Sequence, residues 1–334
     1  RQRATRTRHH DTMVLASLRL SRHNLFVWSS NSCDVGDEPS PETRAKAAFL
    51  GADARATMMM FTISGTDGEG KTVSKYLQFE IADGIATLTL DRPEKLNAFT
   101  NDMLQGLVEA LDDCEDRDDV RVVILTGAGR GFCSGGDVGT MGEAADNRTH
   151  VTKKRIWRDV QAFPKRLARF EKPIIAAVNG VAVGGGLDLA LACDIRVASQ
   201  SARFSETYAK IGLAPGGGGA YFLPRIIGQA RALEMLWTAE FIDATQALEI
   251  GLVNHVYPNE DLMAETQKLA ARIAAMPPLS VQLIKRAVAQ GLNTDMTTAF
   301  DLISSHIAVV RAGEDHPEAI AALKEKRAGK FVGY

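Results

Sequence analysis

Two glycine-rich stretches, each close behind an apolar strand-like run, constrain this chain more than any other feature. Residues 122–126 lead into Gly131-Phe132-Cys133-Ser134-Gly135-Gly136-Asp137, and residues 174–178 lead into Asn179-Gly180 and then Gly184-Gly185-Gly186-Leu187-Asp188. Short β-branched runs bounded by glycine read as buried strands. Glycine lets a backbone N–H approach a ligand closely, because no Cβ intervenes. Two such amides converging on one point would stabilise charge developing on a carbonyl oxygen.

The rest of the chain reads as alternating elements from Tyr76 onward. Strands are expected over 77–81, 85–90, 121–126 and 174–178, with a shorter one over 196–198. Asp83-Gly84 joins the first two as a hairpin. Helices are expected over 101–114, 155–169, 186–192, 230–238 and 243–250. Strand-strand-helix order implies a layered α/β core. Residues 260–275, 278–291, 296–310 and 316–328 read as helices with one apolar face, so the chain after 261 is almost wholly helical.

Composition narrows the class. The chain has 334 residues, a net charge of -2 and 45% hydrophobic residues, which suits a globular protein with a sizeable core. A near-neutral balance offers no electrostatic case for nucleic acid. No apolar run approaches bilayer-spanning length, so no membrane partner is expected. Cys33, Cys114, Cys133 and Cys193 lack Cys-x-x-Cys spacing, and the seven histidines form no His-Glu-x-x-His pair. Metal ligation and a disulfide framework are therefore not expected, and buried free thiols are.

Residues 1–74 differ from the remainder. Residues 1–33 carry six arginines and a single acid, Asp11. That composition resembles an organelle-targeting segment, but the reading taken is a poorly ordered arm that includes translated upstream sequence. Within it, Gly65-Thr66-Asp67-Gly68-Glu69-Gly70-Lys71-Thr72 satisfies the P-loop pattern. Phosphate binding there would need a helix opening at Lys71-Thr72. Residues 76–81 instead alternate at period two like a strand, so the P-loop is set aside. Gly127-Ala128-Gly129-Arg130-Gly131 is no dinucleotide fingerprint either, since Phe132 stands where its last glycine belongs.

Several segments resemble the crotonase (enoyl-CoA hydratase/isomerase) family, in order and spacing. They are Leu90-Asp91-Arg92-Pro93 with Asn97-Ala98, Thr126-Gly127 through Asp137, residues 172–180 with the triple glycine and Cys193-Asp194, Ala202-Arg203-Phe204, Ile211-Gly212-Leu213, and Glu249-Ile250-Gly251-Leu252-Val253. The similarity covers residues 75–334. It implies a crotonase-like spiral of β-β-α units over 75–260. It also implies a helical C-terminal region over 261–334 that covers the site and packs subunits into trimers, often paired as hexamers.

The resemblance also implies a site. Gly136 and Gly185 match the two amide donors that hold a CoA thioester oxygen. Asp188, one turn beyond Gly185 on a helix, stands where hydratases carry an acid–base glutamate. The second hydratase glutamate falls at Tyr208, whose phenol is a poor base at neutral pH. Glu206 is a reserve carboxylate if residues 204–208 are extended, and a solvated surface charge is the competing reading. Lys95, Leu96 and Ala98 match the loop at the adenine end of CoA, and Lys326 matches a late basic residue near a CoA phosphate. The four glycines 216–219, which lack the carboxylate of many isomerases, are expected to leave open space or a flexible loop.

The function implied is hydration of 2-enoyl-CoA to 3-hydroxyacyl-CoA. CoA enters as part of the substrate, and no separate cofactor or metal is called for. Asp188 and Tyr208 also admit C–C bond hydrolysis, decarboxylation or ring chemistry on a β-keto or malonyl-type CoA ester. Enoyl-CoA isomerisation and a non-catalytic subunit stand further back. A cytoplasmic location is expected, with the mitochondrial matrix as the alternative.

Overall fold

The computed structural model describes residues 71–137, 139 and 148–334. The arm over 1–70, with Cys33 and the glycines of the P-loop pattern, lies outside the described residues. Lys71–Ser74 forms strand β1, antiparallel to β2 (Leu77–Ala82). Lys71 and Thr72 therefore open a strand and no helix, as the alternation after them implied.

In chain order the further strands are β3 (Ile85–Leu90), β4 (Val122–Gly127), β5 (Gly131–Cys133), β6 (Ile174–Val178), β7 (Val181–Val183), β8 (Ile195–Ser199), β9 (Arg203–Ser205), β10 (Ile242–Asp243) and β11 (His255–Tyr257). They form two sheets among the described residues. The larger has the order β1-β2-β3-β4-β6-β8-β11, and the smaller β10-β9-β7-β5. From β3 onward the larger sheet is parallel. Each of the pairs β4/β5, β6/β7 and β8/β9 gives its first strand to the larger sheet and its second to the smaller one. This is the spiral of β-β-α units that the sequence implied.

The helices are α1 (Asn101–Asp116), α2 (Thr149–Arg155), α3 (Ala162–Leu167), α4 (Gly185–Ala192), α5 (Gly219–Ile227), α6 (Gln229–Thr238), α7 (Ala244–Glu249), α8 (Leu262–Ala274), α9 (Pro278–Gly291), α10 (Met296–Ala312) and α11 (Asp315–Glu325). Thr100 caps α1 by accepting from the Met103 amide at 3.2 Å. Buried parallel strands are apolar on both faces, because layers pack on each side. In β4, Val123 and Leu125 face the core shared with Met103, Leu107 and Leu111 of α1. Val122 and Ile124 face the opposite core, with Leu262 and Ala270 of α8.

Three features depart from the sequence reading. The helix expected over 155–169 is broken into α2, a π-helical turn at Ile156–Val160, and α3. The smaller sheet was missed, since strands of three residues are too short for alternation to register. The glycines after Pro215 do not form an open loop throughout: Gly219 begins α5, and only Gly216 of the four has empty space beside it. No helix among the described residues is long and apolar enough to cross a membrane.

Candidate active site

The smaller sheet explains why distant segments meet. In it β5, β7 and β9 run parallel as neighbours, with Cys133 opposite Ala182 and Val183 opposite Ser205. The segments after all three strands therefore leave the sheet on one edge. Carboxyl ends of parallel strands are where α/β proteins place their ligands. The first glycine stretch follows β5, the second follows β7, and Glu206 to Tyr208 follow β9.

At that edge the two glycine stretches touch. A Cβ added at Gly135 would lie 3.0 Å from the Val183 carbonyl oxygen and 3.5 Å from the Gly185 nitrogen. At Gly186 it would drive into the Cys133 carbonyl, which is why no larger residue fits there. Phe99 bridges to Gly136 by donating its amide to the Gly135 carbonyl at 2.8 Å and accepting from the Asp137 amide at 3.3 Å. Both bonds use the residues flanking Gly136, so the Gly136 amide itself points away from Phe99. Gly185 opens α4 after Gly184, whose φ of 51° is a left-handed value that suits glycine. The Gly185 amide is thus one of the N-terminal donors that a helix leaves unbonded, at the positive end of its dipole.

Asp188 lies one turn along α4 and is 1% exposed. Its Oδ2 accepts from the Tyr208 hydroxyl at 2.5 Å and from the Gly217 amide at 3.0 Å. Glu206, the residue before the 3₁₀ turn Thr207–Ile211, is 0% exposed, which overturns the reading of a solvated surface charge. The segment 204–208 is extended only through Ser205 and turns into the 3₁₀ helix at Thr207. Tyr208 still reaches Asp188 Oδ2, while Glu206 Oε1 and Asp188 Oδ1 border the same point beside Gly219. Gly219 seals the arrangement, since a Cβ there would sit 2.5 Å from Asp188 Oδ1 and 2.8 Å from Glu206 Oε1.

Burial dominates the electrostatics. It pushes the Asp188 carboxyl above the ordinary carboxylate range, against the hydrogen bonds from Tyr208 and Gly217 that favour its charged form. Burial and then the charge of Asp188 push Glu206 up much further. Burial and the same charge push Tyr208 up, so its phenol stays protonated. Cys114, Cys133 and Cys193 are buried free thiols, and burial raises each to about 12, which holds them protonated at neutral pH.

Lys95, Leu96 and Ala98 border the first glycine stretch. The Lys95 and Leu96 carbonyls accept from the Ser134 hydroxyl (3.1 Å) and amide (3.0 Å). The buried Asn97 side chain locks this loop by accepting from the Arg92 amide and donating to the Ala128 and Gly131 carbonyls. Arg92 pairs with Asp137 at 2.8 Å, tying the loop to the residue after Gly136. Lys326 lies elsewhere, as the exposed left-handed cap of α11, a helix that packs chiefly on α10. Sequence reasoning missed Phe99, whose ring would meet a Cβ at Gly185 at 2.7 Å, and Gln161, which donates to the Gly216 carbonyl at 3.0 Å. Neither belongs to a motif or a period, so neither carried a signal.

Comparison with known proteins gives the same core. The sequence profile of the enoyl-CoA hydratase/isomerase family matches residues 80–333. The chain is 36% identical over 259 residues to a 1,2-epoxyphenylacetyl-CoA isomerase of Escherichia coli, covering 78% of this chain and 99% of that protein. It is 35% identical over 254 residues to a crotonyl-CoA hydratase of Syntrophomonas wolfei, covering 76% and 96%. A crystal structure of an enoyl-CoA hydratase from Bacillus anthracis superposes with a TM-score of 0.74 at 33% identity, over 78% of this chain and 100% of that one. Sequence and backbone agree over the same strands that bring the glycine stretches together, and the chain is an enoyl-CoA hydratase-like enzyme that belongs to the enoyl-CoA hydratase/isomerase (crotonase) family.

Proposed function

We propose that the chain hydrates 2-enoyl-CoA thioesters to 3-hydroxyacyl-CoA. The observation that carries this reading is a buried carboxyl, Asp188, one turn below the Gly185 amide and bonded to a phenol at 2.5 Å. The amides of Gly136 and Gly185 take the thioester oxygen. Ionised Asp188 removes a proton from water as the water oxygen bonds to Cβ, and the Cα=Cβ electrons move onto the thioester as an enolate. The amides hold that charge. Asp188 then returns its proton to Cα, so H and OH are added and the site is restored. Tyr208 stays protonated and orients the carboxylate and water. A carboxyl raised toward neutrality suits a group that must both take and give a proton. The loop around Lys95, Leu96 and Ala98 receives the adenine end of CoA, with Lys326 reaching a CoA phosphate from a neighbouring subunit.

Turnover of crotonyl-CoA and longer 2-enoyl-CoAs tests this. Binding of CoA esters without water addition at any chain length would reject hydration and leave the fold standing.

A second reading rests on the number of groups. With tyrosine at position 208, Asp188 alone is the carboxyl bonded to a phenol, and one base suffices to carry a proton between Cα and Cγ of an enoyl thioester. Nuclear magnetic resonance of products formed in deuterated water separates a hydroxyacyl product from a shifted double bond. Mass spectrometry of products from β-keto and malonyl-type esters tests C–C chemistry.

Self-association as a trimer or a pair of trimers is part of the proposal. Ile284, Val288, Leu292, Met296 and Phe300 on and between α9 and α10 are all more than half exposed in the single chain. Apolar surface gathered in this way marks an interface.

A further inference from the structure

Three oxygens behind the acid–base carboxyl lack a donor. Asp188 Oδ1, Glu206 Oε1 and Glu206 Oε2 are all buried without a hydrogen-bond partner when both side chains are taken as carboxylates. Two of them, Asp188 Oδ1 and Glu206 Oε1, flank the same point beside Gly219, at 2.5 and 2.8 Å from it. Buried polar atoms without partners are rare, because each forfeits its hydration. Two like charges this close in a dry site cannot both persist. The groups acting on Glu206 are few: burial and Asp188, with Tyr208 linked through Asp188, and no basic side chain among them.

We propose that Glu206 is a neutral carboxylic acid that donates its proton to Asp188 Oδ1, and so acts as the positioning residue of the acid–base group. One proton on Glu206 Oε1 pairs two of the three oxygens, Glu206 Oε1 with Asp188 Oδ1, and leaves Oε2 as the carbonyl oxygen of a neutral acid. It gives each Asp188 oxygen its own donor: Glu206 on Oδ1, and Tyr208 with the Gly217 amide on Oδ2. It leaves one negative charge in the cluster, on Asp188. The direction of the shifts agrees, since Glu206 is raised well beyond Asp188 and its bond lowers Asp188. The pair then titrates as a unit with one shared proton.

This inference rests on the acid–base role of Asp188 for its effect on turnover, but the place of the proton does not depend on it. Infrared difference spectroscopy of the full chain, wild type minus Glu206→Gln, needs no substrate. A protonated-carboxyl C=O band at neutral pH that disappears in Glu206→Gln is the expected result. Absence of that band in wild type, or its survival in Glu206→Gln, would overturn the proposal. If Glu206→Gln does not fold, titration of wild type decides: the band persists far above the ordinary carboxylate range, and its loss below neutrality refutes the idea. In turnover, Glu206→Gln keeps a donor and stays within about 3-fold at neutral pH. Glu206→Ala, which removes the donor and lets Asp188 shift, falls ~10–100-fold, the scale of a misplaced reacting group. The alkaline limb of kcat against pH, where wild-type Glu206 ionises, is absent in Glu206→Gln. Retention of that limb would assign it to another group and count against Glu206.

Discussion

The Tyr208 hydroxyl donates to Asp188 Oδ2 across 2.5 Å, joining two residues twenty positions apart in the chain. The contact is short enough for a bond between a neutral donor and a charged acceptor. It exists because β7 and β9 are parallel neighbours, so the turn after one strand faces the helix after the other. Tyrosine here supports a buried carboxylate while staying neutral, because burial and the Asp188 charge both hold its phenol protonated.

Removing the hydroxyl should therefore expose its effect on the carboxyl. In Tyr208→Phe, Asp188 loses a bond that favours its charged form, so its pKa rises further. The acid limb of kcat/KM moves to higher pH. The rate at neutral pH falls ~10–100-fold, the value of a hydrogen bond to a charged group. An unmoved acid limb would mean that Asp188 does not set it.

Asp188→Asn keeps the shape and loses the proton carrier. Turnover on every accepted CoA ester should fall by at least ~10², the usual contribution of a general acid or base. Circular dichroism and CoA-ester binding should remain near wild type. A rate within a few-fold of wild type would remove Asp188 from the chemistry.

The packing at Gly219 makes a separate, steric prediction. A methyl group in Gly219→Ala meets Asp188 Oδ1 at 2.5 Å and Glu206 Oε1 at 2.8 Å, and must push the pair apart. Activity should drop ~10²-fold from displacement alone, with no charge altered. By contrast Gly216→Ala, where nothing lies within 4 Å, should be near wild type. Equal behaviour of the two variants would refute the close packing.

Stability carries the imprint of Glu206 on pH. In the unfolded chain a glutamate ionises near pH ~4.3. Burial holds Glu206 protonated to higher pH in the folded chain. Between the two values the folded state binds the extra proton, so stability falls as pH rises. Glutamine does not titrate. The melting temperature of Glu206→Gln relative to wild type should therefore climb as pH rises above ~4.3, and level off once folded Glu206 ionises. A difference that stays flat up to alkaline pH would show Glu206 charged in the native protein.

The exposed side chains of α9 and α10 predict assembly. Light scattering after size exclusion should give a mass near three or six chains. Phe300→Asp, at a position 60% exposed in the single chain, should shift the protein toward monomer. A wild type that runs as a monomer at micromolar concentration would refute the assembly.

Much of this was legible in the sequence because it is local. The runs that became β4 and β6 are apolar throughout, and the glycines after them mark places where main chain must approach main chain. Asp188 follows Gly185 by three residues, and a helix puts them on one side whatever the tertiary fold. The family's ordered motifs implied the spiral. The three-residue strands β5, β7 and β9 were not legible, since so short a run holds too few alternations to separate a strand from a loop. Their pairing depends on two neighbours being present, and that is a property of the fold. The same limit hid Glu206. Its local sequence is as consistent with a solvated turn as with burial, and its place beside Asp188 and Gly219 in the folded chain is what takes it out of water. What the chain's own order of residues fixed was which groups could do chemistry; which of them share a proton was decided by strand register and exclusion of solvent, neither of which is encoded in any single segment.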